Sequence, residues 1–190
     1  MWAGVDVGGR RKGFHVAVVD EDSLLAGPLR LLTASEVLEF VRRHAPRVIA
    51  VDSPRRVAPD GARSRDCERA LARAICRLRY TPDRERIAGN PYYEWIEHGF
   101  ELYAFLQAEQ WVIVECFPTA SWTVWGGARR MLSRSRWSMT GLARLGLAGV
   151  PPRLSQDGRD AIAAAVTARL YDAGATDAFG DIVVPATGGQ

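Results

Sequence analysis

Three apolar strands that each carry an acid constrain this chain more than any other feature. Asp6 lies between Val5 and Val7, ahead of Gly8 and Gly9; Val48-Ile49-Ala50-Val51 runs into Asp52 and Pro54; Trp111-Val112-Ile113-Val114 runs into Glu115 and Pro118. Short apolar runs closed by Gly or Pro read as buried strands. A carboxylate isolated there costs several kcal/mol, so it must be ligated, hydrogen-bonded or pushed toward its protonated form. A helix entrance near the C-terminal end adds Asp157 and Asp160. Three residues apart, they share one helix face at about 5–6 Å. Strand ends and a helix entrance, all acidic, predict a metal-binding carboxylate cluster.

The elements around these acids follow in order. A turn at Gly8–Gly13 carries Arg10, Arg11 and Lys12 and leads into a second strand, residues 14–19. Residues 23–32 form a third strand, giving an antiparallel meander. Thr33 and Glu36 have capping-box spacing for a helix that ends before Pro46. A crossover from there into the strand at 47–52 implies a parallel pair. Residues 55–110 read as a helical insertion, with helices over 62–79 and 92–109. Residues 121–148 show no clear pattern. The closing helix spans 155–172, and Ile182 to Pro185 adds an edge strand, where Pro is tolerated.

At 190 residues one domain is expected. Hydrophobic content of 47% and charged content of 25% belong to an ordinary globular protein. The net charge of +3 permits a phosphate-bearing partner without arguing for one. Cys67, Cys76 and Cys116 and His15, His44 and His98 lack zinc-site spacing, and an odd cysteine count suits a reducing cytosol. No apolar run approaches the roughly 18 residues of a membrane span, and no signal-peptide pattern opens the chain. A cytoplasmic location without a membrane partner is expected.

Each acid has an ordinary structural alternative. Asp157 could cap its helix, Asp52 could form an Asx-turn before Pro54, and Glu115 could pair with an arginine. Their coincidence favours a site. In this order, the segments GVDVGGRRKGFHVAVV (4–19), AVDSP (50–54), ARSRDCERAL (62–71), VIVECFPTASW (112–122) and DGRDAIAAAVTA (157–168) resemble the DUF429 family of predicted nucleases, within the ribonuclease H-like superfamily. The resemblance implies an α/β fold with a mixed five-stranded sheet flanked by helices, the first acid on its central strand. It also places metal ligands at Asp6, Asp52, Asp157 and Asp160, with Glu115 at a position acidic in the family alone.

Two classes of function follow. The first is a Mg²⁺- or Mn²⁺-dependent nuclease or phosphodiester hydrolase with Asp6, Asp52, Glu115, Asp157 and Asp160 at its centre. Arg10, Arg11, Lys12, Arg65 and Arg69 would then approach the phosphates of nucleic acid or another phosphoester. The second is a non-catalytic nucleic-acid-binding module on the same fold. A nucleotide-handling relative of actin and the sugar kinases would need a duplicated domain and a second phosphate loop, and the chain has neither. An exposed sheet edge or the Trp-rich stretch around Trp122, Trp125 and Trp137 is compatible with a homodimer. His15 reads as an ordinary sheet residue.

Overall fold

The computed structural model describes residues 1–188. Its strands are β1 (Trp2–Val7), β2 (Phe14–Val19), β3 (Leu24–Leu31), β4 (Val48–Asp52), β5 (Val112–Cys116), β6 (Thr176–Phe179) and β7 (Ile182–Pro185). They form one mixed sheet of seven strands in the order β3-β2-β1-β4-β5-β7-β6. The expected count of five is therefore too low. The meander is present, with β2 antiparallel to β1 and β3, while β4 runs parallel to β1, β5 parallel to β4 and β7 parallel to β5. The middle strand of the seven is β4, with β1 beside it. Ile182–Pro185 is not an edge: it pairs with β5 on one side and with β6 on the other. The polar, half-exposed residues of β6 gave no strand signal.

Helices α1 (Ala34–His44), α2 (Asp66–Ala74), α3 (Arg84–Ile87), α4 (Glu94–Gln107), α5 (Pro118–Gly126), α6 (Arg134–Arg144) and α7 (Gln156–Asp172) flank the sheet. Thr33 caps α1 with the capping box its spacing predicts. In the middle region α2 stops at Ala74, short of the expected residue 79. The Glu68 carboxylate accepts hydrogen bonds from the Thr81 amide at 3.0 and 3.1 Å, which folds residues 75–81 back over the helix. Helix α4 packs on the sheet. Leu102, Tyr103 and Leu106 share a core with Val37, Leu38 and Val41 of α1 and with Val5, Ile49 and Ile113 of the sheet. Pro118 opens α5, which runs into the stretch that showed no pattern, and Ser133 caps α6 within it.

The opposite face of the sheet is covered by α7, which α5 and α6 cover in turn. Residues Gly158 to Ala168 of α7 are buried all round, consistent with a helix sandwiched between two layers. Ala161, Ala164 and Ala165 bring its backbone onto β1 at Gly4, where a Cβ would lie 2.0 Å from the Ala165 amide nitrogen. That contact sets the entrance of α7 against the end of β1.

Candidate active site

Successive residues of a strand face opposite sides of the sheet. Ala3, Val5 and Val7 pack toward α1 and α4, and Trp2 packs toward α7, so Asp6 faces α7. The same alternation puts Val48, Ala50 and therefore Asp52 on the α7 side. Asp6 is in register with Asp52 on β4 and with His15 on β2. One row across three strands thus presents His15, Asp6 and Asp52 to the first turns of α7, which carry Asp157 and Asp160.

Asp6 is only 7% exposed, and its Oδ2 has no hydrogen-bond partner. Burial, reinforced by the negative fields of Asp160 and Asp157, raises its pKa to about 8. Burial and the fields of Asp6 and Asp160 hold Asp52 well above the usual carboxylate range. Asp160 is also raised by burial, although it is well bonded: Trp122 Nε1 donates at 2.7 Å, Gln156 Nε2 at 2.9 Å and Arg134 Nη2 at 3.0 Å. Asp157 receives Lys12 Nζ at 2.7 Å from the turn after β1. It is not the helix cap, since Ser155 Oγ accepts the Gly158 amide at 3.0 Å. Carboxylate oxygens of Asp6 and Asp157 and a ring nitrogen of His15 lie within 4.8 Å of one another.

The structure does not bring Glu115 into this group. Ile113 packs toward α1 and α4 whereas Val114 and Cys116 pack toward α7, so Glu115 turns to the α4 side. There Arg65 Nη1 and Nη2 reach its carboxylate at 2.9 and 2.5 Å, and the Arg55 amide donates at 2.8 Å. Arg65 also binds Glu68 and is itself buried, so its guanidinium is engaged within the protein. The other basic candidates are distributed differently. Arg10 is held by Glu101 at 3.2 Å, and Arg69 by Asp66 and the Ser64 carbonyl. Lys12 stands at the cluster, while Arg11 is exposed and forms no ion pair among the described residues.

A cleft of about 690 Å³ opens at the carboxyl ends of β1, β4 and β5, the usual place for ligands in sheets with parallel strands. Asp52, Lys12 and Arg134 line it, together with exposed Arg77, Arg79 and Arg129 and the indole of Trp95. Four buried side-chain atoms lack a hydrogen-bond partner among the described residues: Asp6 Oδ2, His15 Nδ1, Ser53 Oγ and Trp95 Nε1. Asp6 and His15 belong to the acidic row, and Ser53 and Trp95 line the cleft. His15, expected as an ordinary sheet residue, and Trp122, expected in a Trp-rich stretch, stand beside the acids, as do Gln156 and Arg134, which carried no expectation. The hairpin register contains a signal for His15, and the four-residue spacing to Asp160 one for Gln156; nothing local marks Arg134.

The family profile described as "Protein of unknown function (DUF429)" matches residues 4–183. The chain belongs to the DUF429 family. No curated protein sequence matches it. Among solved structures, this DUF429 chain is similar to Thermus thermophilus RuvC, with a TM-score of 0.51 at 18% identity, covering 90% of this chain and 95% of that one. The same protein in complex with Holliday junction substrate gives a TM-score of 0.49 at 16% identity, covering 94% and 99%. The DUF429 chain therefore shares the mixed α/β, ribonuclease H-like fold of that structure. No helix among its described residues is long and apolar enough to cross a membrane.

Proposed function

We propose that this protein is a divalent-metal-dependent nuclease whose centre is Asp6, Asp52, Asp157 and Asp160. The observation that carries this is Asp6: a carboxylate buried in a strand, one oxygen without a partner, beside three further acids. Such a group either keeps its proton or stays ionised with a cation beside it. Lys12 and Arg134 neutralise two of the four acids. Two negative charges remain when all are ionised, the charge of one divalent ion. The all-oxygen set from these aspartates fits Mg²⁺ or Mn²⁺.

When bound, such an ion supplies Lewis acidity toward a phosphoryl oxygen and lowers the pKa of water. The protein's own groups do the rest. Asp6 and Asp52, fixed on adjacent strands, set the spacing of the ligand oxygens. Trp122 and Gln156 hold Asp160 Oδ1 in one orientation. Lys12 and Arg134 stand where the cleft meets the carboxylates and would bind the phosphate being cleaved. Arg77, Arg79 and Arg129 supply positive potential further along the cleft, which suits a polyanionic substrate.

A second reading keeps the fold and the cleft without catalysis. It draws support from the Lys12–Asp157 and Arg134–Asp160 pairs, which neutralise half the cluster internally. The two separate on one experiment, incubation with single-stranded, duplex and four-way-junction DNA with Mn²⁺ or with EDTA. Cleavage that needs Mn²⁺ and vanishes in Asp6→Asn supports the nuclease. Binding without cleavage, indifferent to EDTA, supports the module.

A further inference from the structure

We propose that His15 is a metal ligand of this site, and that its imidazole makes the centre prefer a first-row transition ion, Mn²⁺, over Mg²⁺. The inference deepens the metal-dependent reading above and rests on it. Antiparallel pairing of β1 with β2 sets His15 opposite Asp6, on the face that α7 covers. One of its ring nitrogens lies within 4.8 Å of oxygens of both Asp6 and Asp157. Yet Nδ1 is buried and makes no hydrogen bond, and Asp6 Oδ2 is in the same condition. At up to 4.8 Å the two groups are close neighbours but too far apart for a direct hydrogen bond, and buried polar atoms are seldom left unpaired. Two unpartnered atoms on register neighbours, in residues that also approach Asp157, are what a shared cation would satisfy. Donors on one ion, with bonds of about 2.1 Å, stand at most about 4.2 Å apart, so shifts of a few tenths of an ångström would close the set.

Ligand chemistry then biases the choice between Mg²⁺ and Mn²⁺. Mg²⁺ demands oxygen ligands and keeps its waters, whereas imidazole is a good ligand for transition ions. Aspartates alone would leave the choice between Mg²⁺ and Mn²⁺ to cavity size and ligand number. Replacing one oxygen by the nitrogen of His15 shifts it toward Mn²⁺. His15 brings no charge when neutral, so the balance of four carboxylates against Lys12 and Arg134 is unchanged.

Calorimetric titration of the metal-free protein with Mn²⁺ and with Mg²⁺, joined to pulsed electron paramagnetic resonance of the Mn²⁺ complex, tests this without reference to activity. The wild-type complex should show ¹⁴N coupling from a directly bound imidazole, and the coupling should disappear in His15→Gln. His15→Gln and His15→Ala should each bind Mn²⁺ about 10-fold more weakly while Mg²⁺ binding changes less than about 2-fold; circular dichroism and thermal melting confirm that each variant is folded. Mn²⁺ bound in an Asp6-dependent way but without nitrogen coupling, or with coupling that survives His15→Gln, overturns the role of His15 alone. Mn²⁺ binding that is absent, or unaffected by Asp6→Asn, overturns the metal site as a whole.

Discussion

Asp6 and Asp52 are register neighbours on parallel strands, and both carboxylates turn to the face covered by α7. Hydrophobic packing and backbone pairing hold them there, so their repulsion cannot relax by side-chain escape. The site is thus assembled at a cost to the fold. Replacing Asp6 by Asn keeps the shape and removes the charge. At pH 8, in EDTA, the variant should be more stable than wild type by about 1–4 kcal/mol, the range seen when buried ionic groups give way to neutral ones. Mn²⁺ should no longer raise its melting temperature, and metal-dependent cleavage should fall more than about 100-fold, since loss of an outer partner alone costs 10–100-fold. Chemical denaturation with and without Mn²⁺ reads out the first two effects.

The raised acids fix the sign of the pH dependence. Asp6 keeps its proton up to about 8 in the folded protein but loses it near 3.8 when unfolded. Between those values the folded state binds more protons, so stability is fully present below about pH 4 and is lost as pH rises toward 8. One such group gives a slope of at most about 1.4 kcal/mol per pH unit. Asp52 and Asp160 are shifted the same way and add to it. Saturating Mn²⁺ selects the deprotonated carboxylates, releases protons and should flatten or reverse the trend. Urea midpoints measured from pH 5 to pH 8, in EDTA and in Mn²⁺, check both arms.

Glu115 should behave as a structural residue. Its carboxylate is bound by Arg65 and by the Arg55 amide, on the side of the sheet away from α7. Glu115→Ala leaves the buried Arg65 guanidinium with Glu68 as its remaining carboxylate partner and should cost about 1–3 kcal/mol. Arg65→Met should cost more, about 3–5 kcal/mol, because it removes the cationic partner of the buried carboxylates of both Glu68 and Glu115. Wherever the variants fold, Mn²⁺ affinity should be unchanged. A loss of Mn²⁺ affinity at full stability would instead place Glu115 in the metal site.

Legibility in the sequence follows the range of the interaction involved. The strand acids, the capping box at Thr33 and the helix over Asp157 and Asp160 are local patterns, and the structure contains each element. Strand alternation also holds the clue to Glu115, one position out of phase with Asp52 relative to its flanking core residues. The Arg65 partner is a different matter, because a pair separated by fifty positions leaves no periodic trace. Arg134 reaches Asp160 from another helix, and β6 has too little apolar character to announce itself. His15 sits between these cases: once the turn after β1 fixes the hairpin, its place opposite Asp6 follows by counting.

The cleft arginines should act through charge and not through fold. Arg77, Arg79 and Arg129 are exposed and line the cleft outside the carboxylates; Arg79 lies 5.6 Å from the Tyr92 ring. Changing each to Gln should leave the melting temperature within about 1–2 °C, as expected for surface substitutions of roughly 0.5 kcal/mol or less. If each contacts a phosphate, the salt slope for a single-stranded oligonucleotide should shrink by about 0.7 per residue removed. Fluorescence anisotropy across a salt series measures it. An unchanged slope in the triple variant would move the nucleic acid elsewhere on the surface.

Asp157 and Asp160 reach Asp6 only because α7 lies directly on β1, and that approach depends on the missing side chain of Gly4. A methyl group there would meet the Ala165 nitrogen at 2.0 Å, the Ala161 oxygen at 2.3 Å and the Ala164 carbonyl carbon at 2.6 Å. All three are backbone atoms, so no rotamer change can relieve the clash. The helix must move outward, or the strand must bend. Overpacking of this kind costs about 1–3 kcal/mol, and more where backbone is involved. Gly4→Ala should therefore lower stability by at least about 2 kcal/mol, and Mn²⁺ affinity should fall with it although every carboxylate is intact. In a folded Gly4→Ala protein, thermal melting and calorimetry report these effects separately. Full Mn²⁺ affinity in that variant would mean that Asp6, Asp52 and His15 hold the ion without the acids of α7.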